Sequence, residues 1–205
     1  MGVSFFASSP LGMNPPELLG DADFLAELTE VAVNKPSNSD VATVAMERFV
    51  EVFDRVLGVP GLDHLFLIDG GALAVENALK AAFDAKQRTN GRAGRDPTLG
   101  TQVVHLTGAF HGRTGYTMSL TNTDARKTAG FPQFRWPRLD APVAAGLDDD
   151  ALTRAEDRAL DQLEAAFVTH GHDLAAFIAE PIQCEGGDNH LRAGFLQRVQ
   201  AWCRA

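Results

Sequence analysis

The sequence predicts an α/β fold built on a mainly parallel sheet with flanking helices. Short apolar runs typical of strands alternate with longer runs in which apolar residues recur at helical spacing. Strands separated by helices pair in parallel rather than as hairpins, and helices then cover both faces of the sheet. We expect two parts, residues 1–60 with two helices and residues 61–205 with the sheet.

The first part of the chain predicts two amphipathic helices. Apolar residues recur at helical spacing from Phe24 to Ala32 and again from Val41 to Val56, and the second run stops at Gly58. The sequence Ser-Asn-Ser-Asp at residues 37–40 offers N-cap side chains for the second helix.

The junction at Gly70 and Gly71 is the most informative short segment. An apolar strand predicted at His64–Ile68 runs through these glycines into a helix predicted at Ala72–Lys86. The first N–H groups of a helix have no intrahelical partner, and the helix dipole adds positive potential there, so the junction can bind a phosphate. Paired glycines let the backbone approach that ligand closely. A tight connection without a ligand is the alternative.

The rest of the chain continues the alternation of strands and helices. Prolines at 132, 137 and 142 interrupt an extended region in which neither a helix nor a central strand fits. In chain order, we predict a polar loop at 88–100, a strand at 103–106, a surface helix at 148–168, a strand at 174–179 and a helix near 195–202.

Composition and charge exclude several classes of function. The net charge is −9 and the sequence pI is 5.0, with no basic stripe, which argues against a nucleic-acid-binding surface. No apolar run approaches the roughly 18 residues of a membrane helix, and no secretory signal is recognisable, so we expect a cytoplasmic protein without a membrane partner. Cys184 and Cys203 form no disulfide framework, and the histidines show no metal-ligand spacing.

Three polar clusters should meet at one edge of the sheet, because each follows a predicted strand and parallel strands share their carboxyl edge. Besides the glycine junction, Phe110 and His111 lie between glycines and suit a planar ring, and Arg113 suits a carboxylate. Glu180 and Glu185 place acids after the third strand. Ordinary packing, a surface arginine and simple ion pairs are the alternatives for these residues.

These clusters, in this order, resemble the class III aminotransferases that use pyridoxal 5′-phosphate. Residues 5–9, 34–40, 70–80 and 107–123 are similar to the branch of that family that acts on the ε-amino group of L-lysine. The resemblance covers nearly the whole chain. It implies that residues 61–205 are the first, incomplete part of the large domain of a PLP-transferase of fold type I.

The resemblance implies a cofactor site. In such enzymes Gly71 and Ala72 would hold the cofactor phosphate, Phe110 would stack near the pyridine ring and His111 would lie close by. Glu180 matches the acid of the family's Glu-Pro-Ile-Gln segment, for which we expect a supporting role in the cofactor pocket.

The resemblance also implies a substrate site. Arg113 would bind a substrate carboxylate. Glu185 would be the switch acid, paired with a late arginine while L-lysine reacts and moved aside when 2-oxoglutarate binds. The expected products are 2-aminoadipate 6-semialdehyde and glutamate, and the expected assembly is a homodimer. Cys184 departs from the glycine that the wider family has at this place.

The resemblance implies that some catalytic groups lie beyond Ala205. Three groups of the family would follow that residue: the Schiff-base lysine, the aspartate at the pyridine nitrogen and the arginine that pairs with Glu185. The four lysines of this chain fall outside the motif that contains the family's Schiff-base lysine. We therefore expect an N-terminal half that is inactive alone. Another ω-aminotransferase of the class, acting on ornithine, acetylornithine or 4-aminobutyrate, and a non-catalytic remnant are the alternatives.

Overall fold

The computed structural model describes residues 20–33 and 42–204 of the chain. Two of the segments that resemble the family, residues 5–9 and residues 34–40, lie outside this part of the chain. Every helix among the described residues is too short or too polar to cross a membrane.

The chain divides into two compact units, residues 1–67 and residues 68–205. The first unit holds helix α1, Ala22–Val33, and helix α2, Val44–Leu57. Both helices are confirmed where the apolar spacing predicts them. Helix α2 also ends as predicted, with Gly58 as its C-cap.

Helix α2 begins later than the predicted cap requires. Its N-cap is Thr43, which has an extended backbone and accepts a hydrogen bond through its hydroxyl from the N–H of Met46 at 3.2 Å. The prediction of a cap at residues 37–40 is therefore wrong, and those residues lie outside the described part of the chain. A hydroxyl directly before the first helical turn already satisfies one of the free N–H groups.

The strand predicted at residues 64–68 is wrong. Residues 62–68 form neither helix nor strand, and all residues from 61 to 70 are exposed. An apolar run of this composition suits a buried strand, but a strand exists only where a neighbour offers complementary backbone hydrogen bonds. None of the described strands pairs with this segment.

The second unit is built from helices and a small parallel sheet. Its helices are α3 (Gly71–Arg92), α4 (Thr117–Leu120), α5 (Asp149–His170) and α6 (Ala193–Arg204), with 3₁₀ turns at Ala125–Lys127 and Gly171–Asp173. Its strands are β1 (Gln102–Leu106), β2 (Arg138–Leu139), β3 (Leu174–Phe177), β4 (Ile182–Gln183) and β5 (Asn189–His190). The helices and strands predicted after residue 70 are confirmed, and α4, β2, β4 and β5 are additional.

Helix α3 runs to Arg92, so part of the loop predicted at residues 88–100 is helical. The cause is Asn90, a fully buried residue whose Nδ2 donates to the carbonyls of Leu99 and His172, each at 3.0 Å. These carbonyls lie 9 and 82 residues further along the chain, and the spacing of apolar residues within the helix does not reveal such contacts.

Three strands form the sheet in the order β2–β1–β3, and both pairings are parallel, as the sequence predicts. His105 pairs with Arg138, and Val104 pairs with Phe177. Strand β2 follows Pro137, whose carbonyl accepts from the N–H of His105 at 3.1 Å. The strand lies at the edge of the sheet, the position in which a neighbouring proline is tolerated.

Apolar side chains cover both faces of β1. On one face the buried core holds Leu79 of α3 together with Val103, Leu120 and Trp136. On the other face, α5, α6 and their neighbours contribute Val104, Leu106, Leu139, Ala159, Leu163, Ala166, Leu191, Phe195 and Val199. The predicted α/β architecture is confirmed, and β1 is its central strand.

Candidate active site

Helix α3 starts at a glycine pair. Gly70 is the N-cap, its φ of +92° lies in the region that favours glycine, and no side chain caps the helix. Among the described residues, no atom lies within 4 Å of the place that a Cβ at Gly70 or Gly71 would take, so these residues leave the start of the helix open. The N–H groups of the first turn are thus available to an anion, as the sequence predicts.

The segment after β1 is a loop closed by two polar side chains. Asn122 accepts a hydrogen bond from the N–H of Gly108 at 2.7 Å and donates to two further backbone carbonyls. Thr121 accepts from the N–H of His111 at 2.9 Å and donates to the carbonyl of Gly112 at 2.6 Å. Sequence reasoning missed both residues, because a Thr-Asn pair gives no sign that its side chains bind backbone groups ten or more residues earlier in the chain.

Gly112 brings this loop onto the start of α3. Its φ is +123°, and a Cβ there would lie 2.5 Å from the Cβ of Ala72 and 2.7 Å from Oγ1 of Thr117. Only glycine fits such a contact. Between the helix and the loop is a cavity of about 450 Å³, lined by Gly71, Ala72, Val75, Phe110, His111, Gly112 and Arg113.

Glu180 connects the third cluster to this loop. Its Oε2 accepts a hydrogen bond from the backbone N–H of Phe110 at 2.8 Å. Burial raises the pKa of the Glu180 carboxyl above its usual value, and the bond from Phe110 opposes this rise. The carboxylate of Glu180 therefore holds the backbone of Phe110, the residue that carries the aromatic ring.

The β4–β5 hairpin, which carries Glu185, docks on the turn after β1. Gln183 is fully buried and donates through Nε2 to the carbonyl of Thr107 at 2.8 Å. Gly186 lies against the carbonyl of Gly108 so closely that a Cβ would collide with it. The three polar clusters therefore converge, as predicted. Strand direction accounts for the two clusters that follow β1 and β3, whereas the glycine junction follows no strand and joins them through the contact of Gly112 with Ala72.

Glu185 forms an ion pair with Lys127. The ammonium of Lys127 also donates to Oγ1 of Thr123 at 3.0 Å and lies 5.5 Å from the centroid of the Phe110 ring. Sequence reasoning missed Lys127 because it tested each lysine only against the Schiff-base motif. Cys184, beside Glu185, is exposed and free.

His111 and Arg113 differ in their surroundings. His111 is 8% exposed, and burial lowers its pKa to about 4, so its imidazole is neutral near pH 7. Its Nε2 is buried, and the described residues give it no hydrogen-bond partner. Arg113 is exposed at the rim of the cavity.

The arrangement suits a planar ligand that carries an anionic group. The open helix start offers backbone N–H groups, and the cavity is wide enough for a small aromatic ring. The unpartnered Nε2 of His111 leaves one buried polar atom for such a ligand to satisfy. These residues fit pyridoxal 5′-phosphate, the cofactor that the family resemblance implies.

Residues 3–205 match the family model of the class-III aminotransferases. The chain belongs to this family. This class-III aminotransferase is 62% identical to the L-lysine-epsilon aminotransferase of Mycobacterium tuberculosis over 201 residues. The alignment covers 98% of this chain and 45% of the relative. The family resemblance inferred from the motifs is confirmed.

Two further relatives agree with this assignment. The L-lysine-epsilon aminotransferase of Streptomyces clavuligerus is 55% identical to this class-III aminotransferase over 203 residues, covering 98% of the chain and 44% of the relative. A solved structure of lysine aminotransferase from M. tuberculosis superposes with a TM-score of 0.89 at 61% identity, over 94% of this chain and 45% of that one. The chain thus spans less than half the length of these relatives.

Proposed function

We propose that this chain is part of an enzyme that transfers the ε-amino group of L-lysine to 2-oxoglutarate. The products are 2-aminoadipate 6-semialdehyde and glutamate, and the cofactor is pyridoxal 5′-phosphate. The proposal rests on the 62% identity, over 98% of the chain, to a relative named L-lysine-epsilon aminotransferase. We further propose that the enzyme is cytoplasmic and works as a homodimer.

We assign the cofactor site to the helix start and the loop that packs on it. The N–H groups at Gly71 and Ala72 would hold the phosphate and the Phe110 ring would lie against the cofactor ring, while Glu180 binds the backbone of Phe110. His111 stays neutral beside them. When bound, pyridoxal 5′-phosphate supplies an electron-accepting ring, and the chain binds and orients it.

We assign the substrate site to Arg113 and Glu185. The exposed guanidinium of Arg113 can bind the α-carboxylate of lysine through two parallel hydrogen bonds, which directs the far amine into the cavity. Glu185, which lies on the hairpin, is the switch acid, and it forms an ion pair with Lys127. When it moves aside, the second carboxylate of 2-oxoglutarate can bind.

The test is a comparison of amino donors with the protein expressed from the complete reading frame that contains this chain. Glutamate is measured after incubation with pyridoxal 5′-phosphate, 2-oxoglutarate and one of four donors: L-lysine, ornithine, acetylornithine or 4-aminobutyrate. We expect the highest kcat/KM with L-lysine. A higher value with another donor moves the assignment to that donor, and absence of turnover with all four rejects the proposal.

A further inference from the structure

Glu76 is a buried carboxylate with no role in the function proposed above. It lies on α3 and is 8% exposed. One oxygen, Oε1, accepts hydrogen bonds from Oγ1 of Thr114 at 2.6 Å, from the N–H of Tyr116 at 2.7 Å and from the N–H of Thr117 at 3.4 Å. All three donors belong to the segment that directly follows Arg113.

The two threonines form a directed chain of hydroxyl groups that ends at Glu76. Oγ1 of Thr114 lies 2.8 Å from Oγ1 of Thr117, and the N–H of Thr114 donates to Thr117 at 2.9 Å. Each hydroxyl has a single proton. Because Thr114 gives its proton to Glu76, the proton of Thr117 points to Thr114. The acceptor oxygen of Glu76 therefore fixes the direction of both hydroxyl bonds in this turn.

Glu76 is one of several attachments between residues 112–117 and α3, and the Tyr116 ring also packs edge-on against Phe83 of that helix, with 5.6 Å between the ring centroids. A further attachment is the contact of Gly112 with Ala72, and Ala72 and Glu76 are four residues apart on one face of the helix. A single attachment would leave the segment free to pivot. The contact at Gly112 and the bonds to Glu76 lie on either side of Arg113, so together they fix its position and its angle relative to the helix start.

We propose that Glu76 is a positioning residue, which sets the distance between the phosphate seat at the start of α3 and the carboxylate clamp at Arg113. The effect is specific for ligands that carry both anions, and the inference rests on the proposed function for the identity of those anions. Burying a carboxylate is unfavourable unless donors satisfy it, and here the donors come from the segment that is to be held.

Two probes separate positioning from simple binding. N6-phosphopyridoxyl-L-lysine, a stable reduced adduct, carries the phosphate and the α-carboxylate, whereas pyridoxamine 5′-phosphate carries the phosphate alone. Affinities for both are measured by calorimetry in the protein expressed from its complete reading frame, together with amide hydrogen exchange at Tyr116 and Thr117. The variants are Glu76→Ala, Glu76→Gln, which keeps an acceptor oxygen, and Arg113→Ala.

In Glu76→Ala we expect faster exchange at both amides and about tenfold weaker binding of the adduct, with less than about a twofold change for pyridoxamine 5′-phosphate. Glu76→Gln should restore part of both losses. The matched control is Glu156→Ala, which removes another buried carboxylate, bonded to Arg192. It should lower stability and leave the ratio of the two affinities unchanged.

Each other result decides against the proposal. Unchanged exchange in Glu76→Ala, or equal losses for both probes, means that Glu76 only supports the fold. A loss in Arg113→Ala without one in Glu76→Ala overturns the inference and spares the proposed function. If Arg113→Ala also binds the adduct normally, the assignment of Arg113 as the carboxylate clamp is wrong and the inference falls with it, while the comparison of amino donors still decides the proposed activity.

Discussion

The backbone N–H of Phe110 donates to the carboxylate of Glu180 at 2.8 Å, across 70 residues of sequence. The bond links the loop after β1 to the end of β3, so two adjacent parallel strands act together at one residue. The backbone of Phe110 is therefore held by an acid that lies 70 residues further along the chain.

Replacing Glu180 should weaken cofactor binding through Phe110. In Glu180→Ala the N–H of Phe110 loses its acceptor, which should cost about 1 kcal/mol, or roughly fivefold in affinity for pyridoxal 5′-phosphate. Glu180→Gln keeps an acceptor oxygen and should lose less. Absorbance titration of the cofactor measures the affinity. The exposed Glu164→Ala is the control, and equal affinities for all variants would contradict the assigned role.

Stability should fall as the pH drops from about 6.5 to about 4. Burial lowers the pKa values of His105 and His111 from 6.5 to about 4, so the fold favours their neutral forms. The unfolded chain binds these protons first. Each histidine should therefore remove about 1.4 kcal/mol per pH unit in this window, with no further loss below it.

Urea unfolding at several pH values measures this slope. His111→Gln should lower the slope by about 1.4 kcal/mol per pH unit, the contribution of one histidine. A free energy of unfolding that stays constant between pH 7 and pH 5 would contradict the prediction.

Removing Arg192 should destabilise the packing of α5 against α6. Its guanidinium binds Glu156 at 2.7 and 2.9 Å, and Glu156 is 4% exposed. Arg192→Ala leaves that carboxylate buried without its cation, at an expected cost of about 2 kcal/mol in the free energy of unfolding. The control, Arg198→Ala, breaks an exposed pair with Asp157 and should cost less than about 1 kcal/mol. Chemical denaturation compares the two.

An added methyl group at Gly112 should separate the loop from α3. Gly112→Ala places a Cβ against Ala72 at a strained backbone angle and should cost about 2 kcal/mol in unfolding free energy, with weaker cofactor binding. Gly115→Ala is the control, because its Cβ would have 3.8 Å to the nearest atom and should change stability by less than about 0.5 kcal/mol. Similar losses in both variants would show that the contact with Ala72 is unimportant.

Glu185 should affect one half-reaction more than the other. If it masks an arginine while lysine reacts, Glu185→Ala impairs the lysine half-reaction and spares the 2-oxoglutarate half-reaction. Single-turnover absorbance changes of the cofactor measure each half separately. Equal losses in both would reject the switch role. Lys127→Met tests the observed ion pair with Glu185, and we expect it to slow the lysine half-reaction less than Glu185→Ala does.

The sequence predicts those helices and strands whose apolar residues recur at the spacing of the element itself. Strand β1 and helices α3 and α5 carry a periodic apolar pattern and a clear start, and all three are confirmed. The strand at residues 64–68 is wrong because apolar composition does not supply a pairing partner. Strand β2 has only the two residues Arg138–Leu139, too few for any alternation to appear.

The site divides in the same way. The direction of parallel strands explains why the clusters after β1 and β3 meet. It does not explain the glycine junction, which follows no strand and reaches the others through the contact of Ala72 with Gly112. The groups that fix their geometry, Glu76, Thr121, Asn122 and Lys127, act through partners that only the folded backbone brings near. No spacing rule could identify them, since each bond depends on the path of a loop.

The backbone contact between Gly108 and Gly186 limits how this scaffold can diversify. A Cβ at Gly186 would collide with the carbonyl oxygen of Gly108, so the hairpin cannot gain a side chain there without moving the turn. At Gly108 the φ of +71° favours glycine, and a Cβ would lie 3.2 Å from Oε1 of Gln183. New substrate preferences would have to arise from exposed side chains carried on the hairpin, such as those at 184 and 185. Under the proposed function, substitutions there could alter which substrate is recognised without moving the site of recognition.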